Sequence, residues 1–510
     1  MVARALDTNL PPHLESLRES ICAKAGEYGL TFFPVVFECV PFTMMNQLAA
    51  YGGFPLRYPH WRWGMEFEKL SKRDAYGLGR IYEMVINTDP VYAYLQESNS
   101  VTDQKLVMAH VYGHADFFKN NLWFAKTDRK MLDQMANHAT RVRRHIDTHG
   151  QEAVERFIDA CHSVEWLIDP HSVYQGRGGD AQPVAPVGGA GSDRFPAKDY
   201  LDPFINPRGA MEKQQRERDE EARASAGKLP AKPTRDVALF LLKHARLAPW
   251  QQDILSMIRS EAYYFAPQAM TKIMNEGWAS YWHSKLMTGH FADAGEIVCY
   301  CQQHAGVMHM PEGAFNPYKI GIELWRDIER RWDAGRHGAK WESLAGLGQK
   351  ETYDDKSMQG RDKIFQVRSV YNDAMFIEEF FTPEFCERHK FFVTKPDPEG
   401  NAPGPMRGFD KVKQTLLHHL TNRGEPMVYV VDGNYLNRGE LFLAHDYGGI
   451  EIDAQRAQRV LANLRTLWGR PVHLQAVLRD EMTIFSCAGE DGAVTTERIN
   501  DSTPRPAHII

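Results

Sequence analysis

Cysteine is scarce in this chain: seven in 510 residues, at positions 22, 39, 161, 299, 301, 386 and 487. An odd, scattered set offers no disulfide framework and fits free thiols in a reducing compartment, so a cytoplasmic location is expected. Long apolar runs are missing too. A membrane-spanning helix needs ~18 or more apolar residues, and the longest run near the N-terminus, LTFFPVVFECVPF, is broken by two prolines. The opening residues, MVARALDTNLPPHLES, lack the apolar segment and small-residue cleavage site of a secretion signal, so no leader is expected. Excess charge of one sign is also absent. The net charge of −6 is spread along the chain, which argues against nucleic acid or an anionic membrane surface as partner.

What is present is an ordinary soluble composition, 43% hydrophobic and 25% charged, in a chain long enough for about three domains. The patterning predicts a mainly α protein carrying a pair of metal-site helices, plus a small C-terminal α+β domain. Residues 1–170 read as an N-terminal α/β part, with a helix over 12–30, a strand-like LTFFPVVFECV and a second strand from about Tyr82 to Ile86. Residues 171–235 change composition to GRGGDAQPVAPVGGAGSD and then EKQQRERDEEARASAGKLPAKP, a flexible linker or insertion. Residues 236–395 are helical and are expected to form one domain with 1–170. Residues 405–490 alternate in an αββαββ order, and 491–510 read as a tail.

The stretch LVMAHVYGHADFFKNN places His110 and His114 four residues apart, one above the other on a helix face. Spacing alone is uninformative, because 21 histidines in 510 residues produce about one such pair by chance. A second pair, His145 and His149, indeed lies in charged RVRRHIDTHGQE and reads as surface. The first pair shares a stripe with Leu106, Phe117 and Phe118, so its imidazoles point inward and need partners: one metal ion, or carbonyls and carboxylates. Thr102 or Asp103 is the expected N-cap. Val111 stands where a zinc peptidase of the HExxH type carries its catalytic glutamate, which puts ordinary peptidase chemistry in question.

AMTKIMNEGWASYWHSKLM sharpens the choice. Pro267 suits the first turn of a helix running to about Met287. Glu276 sits in the middle of this apolar helix, where a carboxylate needs a cation, a metal or a donor. With His110 and His114 it completes the His₂Glu set of a zinc site with one open position. NEGWASY is also similar to the segment that supplies the glutamate ligand in gluzincin metallopeptidases. His283, two turns on, shares Glu276's face and is the candidate catalytic side chain, stabilising an oxyanion or serving as a fourth ligand. Asp116, Glu83 and Glu261 are candidate bases. Gly113 and Gly277, each costing about 1 kcal/mol in a helix, suggest close helix approach, at the metal or in simple packing. Cys299, Cys301, His304 and His309 in CYCQQHAGVMH match no standard zinc spacing.

YPHWRWG, MAHVYGHADFFKNN, MNEGWASYWH and FNPYKIGIELWRDIERRW together resemble the SpoVR family, named for stage V sporulation protein R, over most of residues 12–490. That resemblance implies a link to the spore cortex, a peptidoglycan layer, or to stress physiology in bacteria without spores. It also implies partners, a serine-kinase-like ATPase and a protein with a von Willebrand-type fold. Two functions are therefore expected to compete. One is a zinc- or other divalent-metal-dependent amide hydrolase using His110, His114 and Glu276. The other is a non-catalytic regulatory or scaffold protein whose metal is structural.

Overall fold

The computed structural model describes residues 10–75, 83–174, 207, 209, 211, 213, 216, 228–310, 315–344, 346–389, 391, 405–489 and 491–499. Most of the stretch expected as a linker, and residues 500–510 of the expected tail, lie outside the described residues. The chain is mainly helical with a small C-terminal sheet domain. No described helix is long and apolar enough to cross a membrane.

The helices are α1 (Pro12–Glu27), α2 (Phe42–Ala50), α3 (Trp61–Ala75), α4 (Val101–Asn120), α5 (Met131–His149), α6 (Gln151–His162), α7 (Val237–His244), α8 (Pro249–Met270) and α9 (Lys272–Leu286). They continue with α10 (Ile297–Val307), α11 (Pro317–Asp333), α12 (Gly338–Glu342), α13 (Leu347–Thr352), α14 (Gly360–Val370), α15 (Asp373–Phe380), α16 (Pro383–His389), α17 (Pro405–Leu420) and α18 (Ala454–Trp468). Two compact units result: residues 1–155 with 263–425, and residues 156–262 with 426–510.

The first unit holds a three-stranded sheet of β1 (Val35–Val40), β2 (Glu83–Ile86) and β3 (Val91–Gln96) in the order β1-β3-β2. β1 runs parallel to β3 and β2 antiparallel, with Glu83 opposite Leu95. A short turn leads from β3 into α4. Its N-cap is Ser100, two to three residues before the expected position: Ser100 Oγ accepts from the Asp103 amide at 3.1 Å, and Asp103 accepts from the Ser100 amide at 3.2 Å. Asp103 is thus the reciprocal partner in a capping box, not the cap itself. α4 is buried almost all round from Val107 to Phe118, as expected of the central helix of a core rather than a surface one.

α9 lies beside α4. Pro267 sits near the end of α8 instead of opening the next helix, and the chain breaks at Thr271, whose φ of −130° is not helical. The freed amides at the start of α9 are not left to water. Asp373, on α15, accepts from Ile273 at 2.8 Å and Met274 at 2.9 Å, a carboxylate at the positive end of the helix dipole. Trp278, Trp282 and Trp325 are fully buried among α9, α11 and α14.

Two glycines set the helix spacing. A Cβ on Gly113 would lie 2.6 Å from Ala279 Cα, and one on Gly277 would lie 2.4 Å from the Gly321 carbonyl carbon. The expected close approach of the two metal-site helices is therefore made by Gly113 alone. Gly277 serves a different contact, between α9 and α11.

The second unit carries a five-stranded sheet, β4 (Val428–Tyr435), β5 (Glu440–His445), β6 (Val472–Leu478), β7 (Glu481–Cys487) and β8 (Val494–Arg498), in sequential order. β5 and β6 are parallel, as the intervening α18 allows; the other pairs are antiparallel. The β6–β7 turn is Arg479–Asp480, with φ of 54° and 60°, the positive values that suit a two-residue hairpin. The αββαββ expectation needs one correction. Residues 494–498, read as tail, pair with β7 as a fifth strand. Their exposed, polar sequence VTTER hid it, since an edge strand with little burial lacks hydrophobic alternation.

Candidate metal centre

The site is assembled by α4, α9, α11 and the edge strand β2. His110 and His114 project from α4 with their rings 4.5 Å apart. Glu276 Oε2 lies 3.6 Å from His110 Nε2 and 3.5 Å from His114 Nε2. Glu83 Oε1 lies 3.6 Å from the same His110 nitrogen. Glu83, His110 and His114 present ligand atoms all within 4.8 Å of one another, the only such His/Cys/Asp/Glu group among the described residues. The histidines are sealed, while the two glutamate side chains remain about one-fifth exposed, so the site opens toward solvent on its carboxylate side.

The other ring nitrogens are engaged behind the site. His114 Nδ1 donates to Asn275 Oδ1 at 2.9 Å. His110 Nδ1 is 2.8 Å from His283 Nδ1, and His283 Nε2 is 3.1 Å from His304 Nδ1 on α10. Two tautomer patterns satisfy this chain, and in one of them His110 donates to His283 and His283 donates to His304. With both rings neutral, as they would be on a bound ion, the Nε2 lone pairs of His110 and His114 would face Glu276. This is the outer arrangement that holds metal-binding imidazoles in place.

His283 therefore sits on the far side of the His110 ring, away from the Nε2 atoms. The reason is helical geometry. Seven residues are two turns, about 10.5 Å along the axis, so Glu276 and His283 cannot both reach one point, and the His110 ring spans the gap with one nitrogen toward each. Tyr318, at the start of α11, stacks on His110 at 6.3 Å between ring centroids.

The electrostatics follow from burial of like charges. Burial raises the Glu83 carboxyl's pKa, against the pull of the two imidazoles. Burial also disfavours ionised Glu276, but His110 and His114 override it and hold that carboxyl well below the usual range. Burial depresses His114, yet Glu276 and Glu83 carry it up to about 9. Burial, with His110 and His304 beside it, holds His283 well below its ordinary value and hence neutral. Burial first, then the two glutamates, raises Tyr318, so its phenol keeps its proton.

The residues fit a divalent ion. Glu83 Oε2 and Glu276 Oε2 are buried with no hydrogen-bond partner among the described residues, and a carboxylate left so is costly. The nitrogen–oxygen separations of 3.5 to 3.6 Å are too long for hydrogen bonds. They match the edge of a tetrahedron with ~2.1 Å bonds to a central ion, about 3.4 Å.

Of the remaining candidates, those in the first unit fall elsewhere. Asp116 accepts from the Thr31 amide at 2.8 Å, Trp278 Nε1 at 2.9 Å and Asn120 Nδ2 at 3.1 Å, with Arg368 at 3.5 Å. It is a saturated core carboxylate, not a base facing the site. Glu261 belongs to the second unit. Val111 is fully buried in the hydrophobic core. His149 is exposed at the end of α5, and Cys299 and Cys301 are exposed on α10, whose His304 contributes to the histidine chain instead. Asn275, Tyr318 and His304 were not singled out as part of this site by the sequence. Asn275 directly precedes Glu276, and Tyr318 lies within FNPYKIGIELW, so their motifs were visible while their roles were not.

Comparison with known proteins bears on the whole chain. A family model described as SpoVR like protein matches residues 9–425, and one described as SpoVR-like C-terminal domain matches residues 426–479. An uncharacterised protein of Escherichia coli (strain K12), YcgB, is 28% identical over 480 residues, 88% of each chain. No solved structure matches.

Proposed function

This chain belongs to the SpoVR family, and on that premise we propose that it holds one divalent metal ion, zinc or a related ion, on His110, His114 and Glu276, and hydrolyses an amide bond. The observation that carries this reading is the convergence of two imidazole Nε2 atoms on a buried carboxylate oxygen that has no hydrogen-bond partner among the described residues. A bound ion of this kind acidifies water and polarises a carbonyl. The chain's own residues prepare the setting. Asn275 and His283 fix the two imidazoles, and Tyr318, which keeps its proton, offers a hydrogen bond to a developing oxyanion. The family's link to the spore cortex makes peptidoglycan-type peptides the substrate class to try first.

One observation favours a second reading, that the metal is structural and the protein regulates partners such as a serine-kinase-like ATPase and a von Willebrand-type protein. Val111 is fully buried where a peptidase of this kind places its base, and no other group is yet committed to that role.

The deciding experiment measures metal content and amide hydrolysis on the same preparations. Wild type is expected to retain one divalent ion per chain. Glu276→Gln should bind it more than about 100-fold more weakly and lose hydrolysis with it. Undiminished hydrolysis by metal-stripped protein would sink the first reading. Metal loss that lowers the melting temperature, with no hydrolysis from the loaded protein, selects the second.

A further inference from the structure

The three-ligand site leaves Glu83 unexplained, and its placement carries a further step. Resting on the metal site of the reading above, and favouring its structural over its hydrolytic form, we propose that Glu83 is the fourth ligand, so that the ion sits in a charge-neutral His₂Glu₂ set instead of the three-ligand pattern of gluzincin peptidases.

Geometry is the first ground. Glu83 Oε1 is as far from His110 Nε2, 3.6 Å, as Glu276 Oε2 is. Each oxygen stands from His110 at the separation that two ligands of one tetrahedral ion show. Anchoring is the second. Glu83 is fixed by the antiparallel pairing of β2 with β3, opposite Leu95. Side chains alternate along a strand, so Glu83 shares its face with Val85, which packs on the core that contains α4. A ligand on a strand is held more rigidly than one on a loop.

Charge is the third ground. Two carboxylates face one small space, and the ion-pair partners found for them there are imidazoles, not lysine or arginine. With both histidines neutral and acting as ligands, the pair carries −2. A dication balances it. A monovalent counter-ion would leave a buried charge, which is strongly disfavoured. The same donor set names the class of ion. Two imidazoles and two carboxylates suit borderline first-row ions such as zinc, iron(II) or manganese(II). They do not suit calcium, which takes six or more oxygens, or copper(I), which prefers thiolate or thioether.

This assignment also changes the place of Val111. Four protein ligands leave no vacant tetrahedral position, so a glutamate at 111 would have no water to act upon in the resting site.

The test compares wild type, Glu83→Gln and Glu83→Asp as full-length proteins, with zinc alone as the titrant and cobalt(II) as the spectroscopic probe. Wild type is expected to give the intense visible bands of four-coordinate cobalt. Glu83→Gln should bind zinc at least tenfold more weakly and show an altered cobalt spectrum, with Glu83→Asp between the two. Metal-free melting temperatures equal to wild type show that the variants are folded. Equal zinc affinity and an unchanged cobalt spectrum in Glu83→Gln overturn the fourth ligand while leaving His110, His114 and Glu276 as the site. Absence of zinc binding in wild type overturns both.

Discussion

Histidines are used in opposite ways in the two units. In the C-terminal sheet, His473 on β6 has Nδ1 2.8 Å from Ser486 Oγ on β7 and Nε2 3.0 Å from Glu440 Oε2 on β5. Both nitrogens are satisfied at hydrogen-bonding distance by neighbours on adjacent strands, and nothing is left over. In the first unit, His110 and His114 are satisfied at Nδ1 only. Their Nε2 atoms stand 3.5 to 3.6 Å from two carboxylates, each with a buried oxygen, Oε2, that has no hydrogen-bond partner among the described residues. A closed circuit explains itself as cross-strand stabilisation. An open one, built at the cost of burying two carboxylates, is where the proposed ion would sit. The distances, and not the residue types, separate the two: each region combines histidine with glutamate.

The regions also differ in how they are held, and this gives the largest expected effect. The sheet circuit spans three hydrogen-bonded strands. The helix site depends on backbones in contact, Gly113 on Ala279 and Gly277 on Gly321. Gly277→Ala forces a methyl to within 2.4 Å of backbone that has no side chain to rotate away. Overpacking of about 3 kcal/mol, less about 1 kcal/mol gained in helix propensity, leaves a net loss of about 2 kcal/mol. Hydrogen exchange should show protection falling in residues 272–286 while residues 472–487 keep theirs. Equal loss in both segments would break the contrast.

Much of this site is readable in the sequence. His110, His114 and Glu276 stood out because each is a polar group on an apolar helical stripe, and that conflict survives in the sequence. Glu83 did not stand out as a ligand. It lies on a four-residue edge strand whose proximity to α4 is a tertiary fact, with no local pattern to announce it. His283 was readable as a residue on Glu276's face but not as lying behind His110, because a shared stripe says nothing about which of two turns meets a given neighbour. In the fold, most of the longer helices and the strands β4 to β7 followed from periodicity, while α2, α3 and β3 did not. The break at Thr271 did not, since Asp373 caps α9 from about 100 residues away. The fifth strand was hidden for the reason given above, that it buries little.

A smaller effect probes the rear of the helix site. Asn275→Ala removes the acceptor that holds His114 Nδ1 without touching Nε2 or Glu276. Metal affinity should fall by about 10- to 100-fold, the usual range for outer partners of metal-binding histidines, with the count of one ion per chain unchanged at saturating metal. Isothermal titration with zinc reads this directly. An unchanged affinity would mean that the imidazole is held by packing alone, and the first region would then resemble the second less than it now does in its use of Nδ1.

The smallest effect is expected where the circuit is closed. Ser486→Ala removes one partner of a ring that is 14% exposed, so water can take up Nδ1 while Glu440 keeps Nε2. The loss should be about 1 kcal/mol in urea unfolding, the ordinary value of one net hydrogen bond, and metal content should not change. Tyr435 lies 5.2 Å from the His473 ring and 4.5 Å from Phe442, so the ring stays packed when the serine hydroxyl is lost. A loss of several kcal/mol, or any fall in bound metal, would show that the two histidine regions are not the separate cases their distances indicate.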